Sequence, residues 1–423
     1  MINFINIIKC KKIEKIINIV ININYKTVKF FPRYIIIFFM LKFNVKFGIL
    51  MSVNGIIEII NMNFGFLRSI YNNYYSGVND VYVSLNIIKI FNLKTGDKII
   101  GKIIPPINYE RYFSLININI INNILPIRNK KRISFENLVP LYANSRLFME
   151  IKKKKIKKDI TSRILDLITP IGKGQRGLIV APPKAGKTLL IQNIAKSISY
   201  NYKNHILIVL LIDERPEEVT EMKKIIKGEV LYSTFDEPSY KHIQIAEIII
   251  EKAKRMVENS NNVIILLDSL TRLARAYNSI LPTSGRTLTG GIDSNALYRP
   301  KRFFGSARNL QEGGSLTIIA TVLIETGSKM DEVIYEEFKG TGNMELHLSR
   351  KMSNKRIFPS IDYIKSGTRK EELLVNYYEL KKMWFLRKLL GMMDKYNSMK
   401  FLIKQLIKSK NNYFFLKNMN LYL

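Results

Sequence analysis

APPKAGKTLL, residues 181–190, follows the apolar run GLIV and precedes a stretch with helical spacing. From Ala181 to Thr188 it meets the pattern Gly/Ala-x-x-x-x-Gly-Lys-Thr of a phosphate-binding loop. Such a loop needs a tight strand-to-helix turn whose backbone N–H groups point at phosphate oxygens. Gly186 lets the backbone come close, Lys187 supplies charge to the β- and γ-phosphates, and the Thr188 hydroxyl reaches Mg²⁺. Lys184 adds a second cation. The pattern therefore predicts nucleotide binding.

A phosphate loop needs acidic partners. NVIILLDSLTR places Asp268 at the end of an apolar strand, where it can serve the water shell of Mg²⁺. LLIDERPEEV places Glu214 just past another apolar strand, at the carboxyl edge of the sheet. A carboxylate there can polarise the attacking water, as base or as orienter. Asp213 reads as a turn or cap residue. The runs RGLIVA, HILIVLLI, NVIILLD and LTIIATVL are continuously apolar and separated by helical stretches. That texture predicts a mainly parallel sheet with helices on both faces, an α/β P-loop ATPase fold.

Before residue 150 the texture differs. Short alternating segments (IIEII, DVYVS, DKIIGKII, RYFSLININI) are separated by turn signals such as Ser76-Gly77, Thr95-Gly96-Asp97 and Pro105-Pro106. They predict a small β-barrel or sandwich. The expected organisation is an N-terminal segment, 1–51, a β-rich domain, 52–150, a basic linker, 151–160, and the ATPase domain, 161–423. KKKKIKK at 152–158 reads as solvated linker, with phosphate contact as the lesser reading.

The formal net charge is +33. That excess favours a polyanionic partner, but the chain is rich in Ile, Asn and Lys even in featureless stretches, so charge alone decides nothing. Cys10 is the single cysteine, which excludes an internal disulfide framework and a Cys-based zinc site and suits a reducing cytosol. The run YIIIFFML at 34–41 is eight residues, short of the ~20 that cross a bilayer. A cytoplasmic protein with no membrane partner is expected.

SGRTLTGGID, 284–293, combines Gly285, Gly290 and Gly291 with hydroxyls and Arg286. GSKMDE, 327–332, offers Lys329 in a similar setting. Both suit a phosphodiester chain, although for glycine-rich loops in general a mobile surface loop is the more common reading. Arg369 in SGTRKEELL is either a surface charge or a finger to a neighbour's γ-phosphate. In NFGFLRS, 63–69, Phe64 and Phe66 share one strand face. Alternation alone favours core packing; Arg68 on the same face, and Glu110-Arg111-Tyr112 beside another turn, tilt it toward a base-stacking surface.

Taken together, GKGQRGLIVAPPKAGKT, LIDERPEEVTEM, VIILLDSLTRLARAYN, LTGGIDSNAL, ETGSKMDEVIYEEFKGTGNMEL, SGTRKEELL and FGFLR resemble the bacterial transcription termination factor Rho family, from about residue 54 onward. The resemblance implies a homohexameric RecA-like RNA helicase driven by ATP and Mg²⁺. Ahead of it stands an OB-fold that captures single-stranded, pyrimidine-rich RNA, and its task is to release the transcript from the RNA polymerase elongation complex. Residue by residue it implies that Lys184, Ala185, Gly186, Lys187, Thr188 and Leu189 line the nucleotide, with Gly172, Lys173, Gly174, Gln175, Arg176 and Gly177 close by. Glu214 would activate water, Thr188 and Asp268 would serve Mg²⁺, and Phe358 would pack on the base. Arg215 and Arg369 would reach ATP across a subunit boundary.

Asn63, Phe64, Gly65, Phe66, Leu67, Arg68, Asp80, Tyr82, Glu110, Arg111 and Tyr112 would form the primary RNA site, so the phenylalanines belong at the surface. Leu281, Ser284, Gly285, Arg286, Thr287, Leu288, Thr289, Gly290, Gly291 and Asp293 would form one central RNA loop, and Lys329 the other. Three departures stand out. Residues 1–50 lack the motifs of the family's opening helical bundle, Arg286 stands where lysine is usual, and Asn63 where glycine is usual. The rival readings are a rotary ATP-synthase catalytic subunit, which has no use for FGFLR or SGRTLTGG, and a passive RNA clamp whose ATPase has decayed.

Overall fold

The computed structural model describes residues 51–419 apart from 62, 107–109, 130–131, 152–158, 282–286, 289 and 294. The chain forms two compact units. One contains the described residues up to Ile133 together with Ile248–Asn259, and the other contains Ser134–Glu247 and Ser260 onward.

The first unit is a closed five-stranded barrel of β1 (Met51–Ile60), β2 (Phe64–Arg68), β3 (Val81–Ser84), β4 (Lys98–Ile104) and β5 (Phe113–Ile121), in the order β1-β2-β3-β5-β4. Closure leaves no strand edge unpaired. The alternation in β3 and β4 puts Val81, Val83, Ile99 and Ile103 inside with Ile57 and Ile121. Burying aliphatic side chains of this size is worth about 1.5–3 kcal/mol each. That drives the barrel shut and turns the intervening residues outward.

The second unit is built on parallel strands. β6 (Arg176–Ala181), β7 (Ile206–Glu214), β8 (Glu229–Thr234), β9 (Asn262–Asp268), β10 (Ser315–Leu323) and β11 (Met344–His347) run in the order β8-β7-β9-β10-β6-β11. All of their pairings are parallel. β9 and β10 are buried almost end to end, as a sheet covered on both faces requires.

The boundary between units falls at Ile133, earlier than the expected 150. The reason is local pairing: Pro140–Leu141 adds to the second unit's sheet beside Arg308–Leu310, and Arg146–Leu147 pairs with Ile171–Gly172. The lysine run 152–158 and the N-terminal residues 1–50 lie outside the described residues.

Candidate nucleotide and RNA sites

Ligands of open parallel sheets gather at the carboxyl ends of the strands, and the predicted chemistry collects there. β6 ends at Ala181, and helix α1 (Lys187–Asn201) starts six residues later. Between them Lys184 and Gly186 both take positive φ, 64° and 84°. Gly186 caps α1 without a side-chain hydrogen bond, and uncapped N–H groups at a helix start suit an anion.

The Lys187 ammonium bridges the two predicted carboxylates. Its Nζ donates to Glu214 Oε1 at 2.9 Å and to Asp268 Oδ1 at 2.6 Å. Burial alone would lower the pKa of Lys187, but Asp268 and Glu214 outweigh it and raise it, so the ammonium stays charged. Glu214 is buried at the end of β7, and its pKa is raised, first by burial and then by the Asp268 charge, against the pull of Lys187 and Arg272. Thr321 of β10 donates to Asp268 Oδ1 at 2.8 Å and fixes that carboxylate. The Thr188 hydroxyl lies 3.2 Å from Glu218 Oε2, on helix α2 (Pro216–Ile225).

Mg²⁺ commonly takes one or two protein ligands, several waters and phosphate oxygens. One hydroxyl, Thr188, and one strand-end carboxylate, Asp268, fit that ion.

Asp213 explains how Glu214 reaches the site. It takes φ 56°, and the β7–β8 register shifts between Ile212 and Glu214. A bulge re-aims the next side chain, here Glu214, while Asp213 pairs with Arg272 at 3.1 Å. Phe358 is 46% exposed, with its ring 3.5 Å from where a Cβ on Gly186 would stand, a place suited to a base. Leu189 is 60% exposed on the first turn of α1. Arg215, at the start of α2, is also exposed.

Gly172–Gly177 sit at the amino end of β6, and Leu178–Ala181, four residues at ~3.3 Å each, separate them from the phosphate loop of the same chain. They stand instead beside Arg369. The Arg369 N–H donates to Asn343 O at 2.9 Å, and the Asn343 side chain accepts from Gln175 Nε2 at 2.8 Å and from the Arg176 N–H at 2.9 Å. Burial lowers the pKa of Arg176, and the charges of Arg308 and then Arg369 add to it. Arg369 is exposed and lines an open cleft of about 300 Å³ with Asn343, Glu345 and Thr368.

The two predicted RNA loops meet. The strands Thr287–Leu288 and Ile292–Asp293 pair as a hairpin, and Gly290 at its turn has φ 87°. A Cβ on Gly290 would lie 3.0 Å from Met330 N and 3.1 Å from Lys329 O. Leu281 is partly exposed at the end of helix α3 (Leu270–Ile280), Gly291 is exposed and Asp293 buried. Ser284, Gly285, Arg286 and Thr289 lie outside the described residues.

The helix α3 carries two arginines that lie within the quoted motifs but to which the sequence assigned no role. Arg272 reaches Asp213 and stands 4.0 Å from Glu214. One turn on, Arg275 forms a two-pronged pair with Asp331, at 2.8 and 2.6 Å. Asp331 is 1% exposed and lies in the first turn of helix α4 (Lys329–Lys339), beneath exposed Lys329. One helix thus touches Asp213 and Glu214 through Arg272 and the base of the loop that carries Lys329 through Arg275. Their i, i+3 spacing puts both arginines on one helix face, but only the fold supplies their partners.

On the barrel, Phe64 and Phe66 are half-buried on the outer face of β2. Their centroids are 5.7 Å apart, Tyr82 lies 6.0 Å from Phe64, and Tyr112 lies 4.9 Å from Phe66. These rings form a contiguous platform rather than core. Asn63, Glu110 and Arg111 are exposed at its rim.

Other expected members act from beneath. Leu67 belongs to the barrel interior, so only its backbone can reach the face. At Gly65 a Cβ would press on Glu58 O at 3.0 Å. Arg68 is 5% exposed; it donates to Glu58 at 2.7 Å, pairs with Asp80, and holds its guanidinium 5.2 Å from the Phe66 centroid. Asp80 in turn accepts from the Gly77 N–H at 2.7 Å, and burial raises its pKa.

An aromatic-faced OB-type barrel and a parallel-sheet P-loop unit in one chain define an RNA-binding ATPase. Residues 53–126 match the RNA-binding domain of Rho termination factor, and residues 161–368 match the nucleotide-binding domain of the ATP synthase alpha/beta family. The chain is 62% identical over 377 residues to transcription termination factor Rho of Escherichia coli strain K12, covering 89% of this chain and 90% of that protein. It is also 62% identical over 381 residues to Rho of Buchnera aphidicola subsp. Baizongia pistaciae, covering 90% and 91%. A type III secretion system ATPase of pathogenic bacteria shares the fold, with TM-score 0.55 and 20% identity over 67% of this chain and 87% of that one. The chain belongs to the Rho transcription termination factor family. Among the described residues, no helix is long and apolar enough to cross a membrane.

Proposed function

We propose that this chain is an ATP-hydrolysing, RNA-stimulated translocase that binds nascent single-stranded RNA and terminates transcription by releasing the transcript from RNA polymerase. The observation that carries it is Lys187 held between Glu214 and Asp268 at 2.9 and 2.6 Å, in a chain that also bears the aromatic platform. When ATP enters, its phosphates compete with both carboxylates for Lys187. Released from that ammonium, Glu214 is a buried base with a raised pKa, suited to orient water and accept its proton. Thr188 and Asp268 would hold Mg²⁺, which when bound neutralises charge on the β- and γ-oxygens.

Exposed Arg369 and Arg215 would complete the site from a neighbouring subunit of a homohexamer, with Gly172–Gly177 on the same edge as Arg369. In each subunit α3 would couple the state of Glu214 to Lys329, and Arg286 would extend the grip on the phosphodiester chain. The platform would capture pyrimidine-rich RNA by stacking the bases on its rings. The working compartment is the cytoplasm.

The test is ATP hydrolysis with and without a long cytosine-rich single-stranded RNA, with Lys187→Ala as control. RNA should switch on a rate that the variant lacks, and transcript release from stalled polymerase should follow. Hydrolysis indifferent to RNA would count against the motor, and RNA binding without hydrolysis would leave a clamp.

The loop contact yields a narrower expectation. In Gly290→Ala the new methyl group meets the Lys329–Met330 backbone, at a φ that costs L-residues about 1–2 kcal/mol. The RNA-stimulated part of the ATPase should fall roughly tenfold, in line with that cost. Binding of a short oligocytidine to the barrel should not change. Full stimulation in the variant would show that the loops do not work as a pair.

A further inference from the structure

We infer that Ser353 and Ser360 are positioning residues that set the phosphate loop and the base platform as one piece, an inference that rests on the nucleotide reading above. Ser353 Oγ donates to Lys184 O at 2.8 Å, and Ser360 Oγ donates to Ala185 O at 2.6 Å. Both serines are buried, as is Ala185. A trans peptide is planar, so its carbonyl and the next N–H point in opposite directions. Holding the carbonyls of Lys184 and Ala185 toward the serines therefore aims the N–H groups of Ala185 and Gly186 the other way. Those are the donors a phosphate loop offers to its anion. Lys184 and Gly186 sit at positive φ, where a loop has other conformations within reach, so fixing two consecutive peptides selects one of them.

The segment that supplies the hydroxyls is itself tied to the strand feeding the loop. The Leu348 N–H donates to Val180 O of β6 at 2.8 Å, Leu348 forms a bridge with Ile361, and the Ser349 N–H donates to Ser360 O at 2.7 Å. Phe358 lies between the two serines in sequence and stands over Gly186. One short stretch thus fixes the direction of the phosphate donors and carries the ring for the base. The distance between the base and phosphate ends of the site is set by serine–carbonyl bonds that no phosphate-loop motif contains.

The experiment measures binding of a fluorescent ADP to the full chain and its displacement by ADP, inorganic pyrophosphate and adenosine. Ser353→Ala and Ser360→Ala are compared with Phe358→Ala, with Ser360→Thr as the hydroxyl-retaining control. Each serine variant should lose about tenfold in affinity for ADP and pyrophosphate, the size expected for one buried hydrogen bond. Adenosine should stay within about twofold, since it has no phosphate to meet those N–H groups. Phe358→Ala should do the reverse, losing adenosine and sparing pyrophosphate, and Ser360→Thr should restore most of the lost affinity.

If Ser360→Ala does not fold, Ser353→Ala carries the same comparison. Serine variants that melt earlier but bind ADP and pyrophosphate like the parent overturn the inference, and so do variants that lose adenosine as strongly as pyrophosphate. Parent protein that binds neither ADP nor pyrophosphate overturns the nucleotide reading and this inference with it. Parent protein that binds both, with variants that match it, overturns this inference alone.

Discussion

Replacing Glu214 by Gln should lower ATP hydrolysis by about 10²–10⁴-fold, the range of a lost general base, while ADP affinity changes little. The amide keeps the volume at the end of β7 and can still accept from Lys187, which also retains Asp268 at 2.6 Å. What it loses is the capacity to take a proton. The parent enzyme should carry an acidic limb in its pH–rate profile. Glu214 must be ionised to act as base, so activity is present above its pKa and lost as pH falls through it. Burial and the Asp268 charge raise that pKa, so the limb should lie above the ordinary carboxylate range. In Glu214→Gln the residual rate should lack it. An unaltered rate in the variant would assign water activation elsewhere, and a loss of ADP binding would make Glu214 a structural partner of Lys187.

The same site shows where sequence reading stops. Lys187, Thr188 and Asp268 were legible because a strand end and a helix start are local events, and the loop between them has a fixed spacing. Glu214 was legible as a strand-end carboxylate, but its aim depends on the bulge at Asp213, and a turn-prone aspartate does not announce a bulge. Arg272 and Arg275 sat in plain view on a helical stretch. Their partners, Glu214 and Asp331, come from other parts of the chain and could not be assigned from spacing. Gly172–Gly177 stand in sequence next to the phosphate loop, yet strand β6 carries them to the sheet's other edge, beside Arg369. Proximity along a strand is distance in space.

For the barrel, alternation told which residues share a face but not whether that face is covered, and this is where the second large effect is expected. The double substitution Phe64→Ala/Phe66→Ala should weaken binding of a short oligocytidine by a hundredfold or more, because stacked bases contribute about 1–3 kcal/mol each. The salt dependence of binding should keep its slope, since neither ring meets a phosphate. Arg68 gives the sharper comparison. A phosphate-contacting arginine, once removed, reduces the salt slope by about one charge. Arg68 is instead buried between Glu58 and Asp80 with its guanidinium against Phe66. Arg68→Ala should therefore weaken RNA binding through a misplaced ring and leave the slope intact, with Glu58 and Asp80 left facing each other's charge. Arg111→Ala, at the exposed rim, should lower the slope and spare the stacking. If Arg68→Ala lowers the slope instead, the guanidinium leaves its buried pairs to meet the RNA backbone, and the platform is remade on binding rather than preformed.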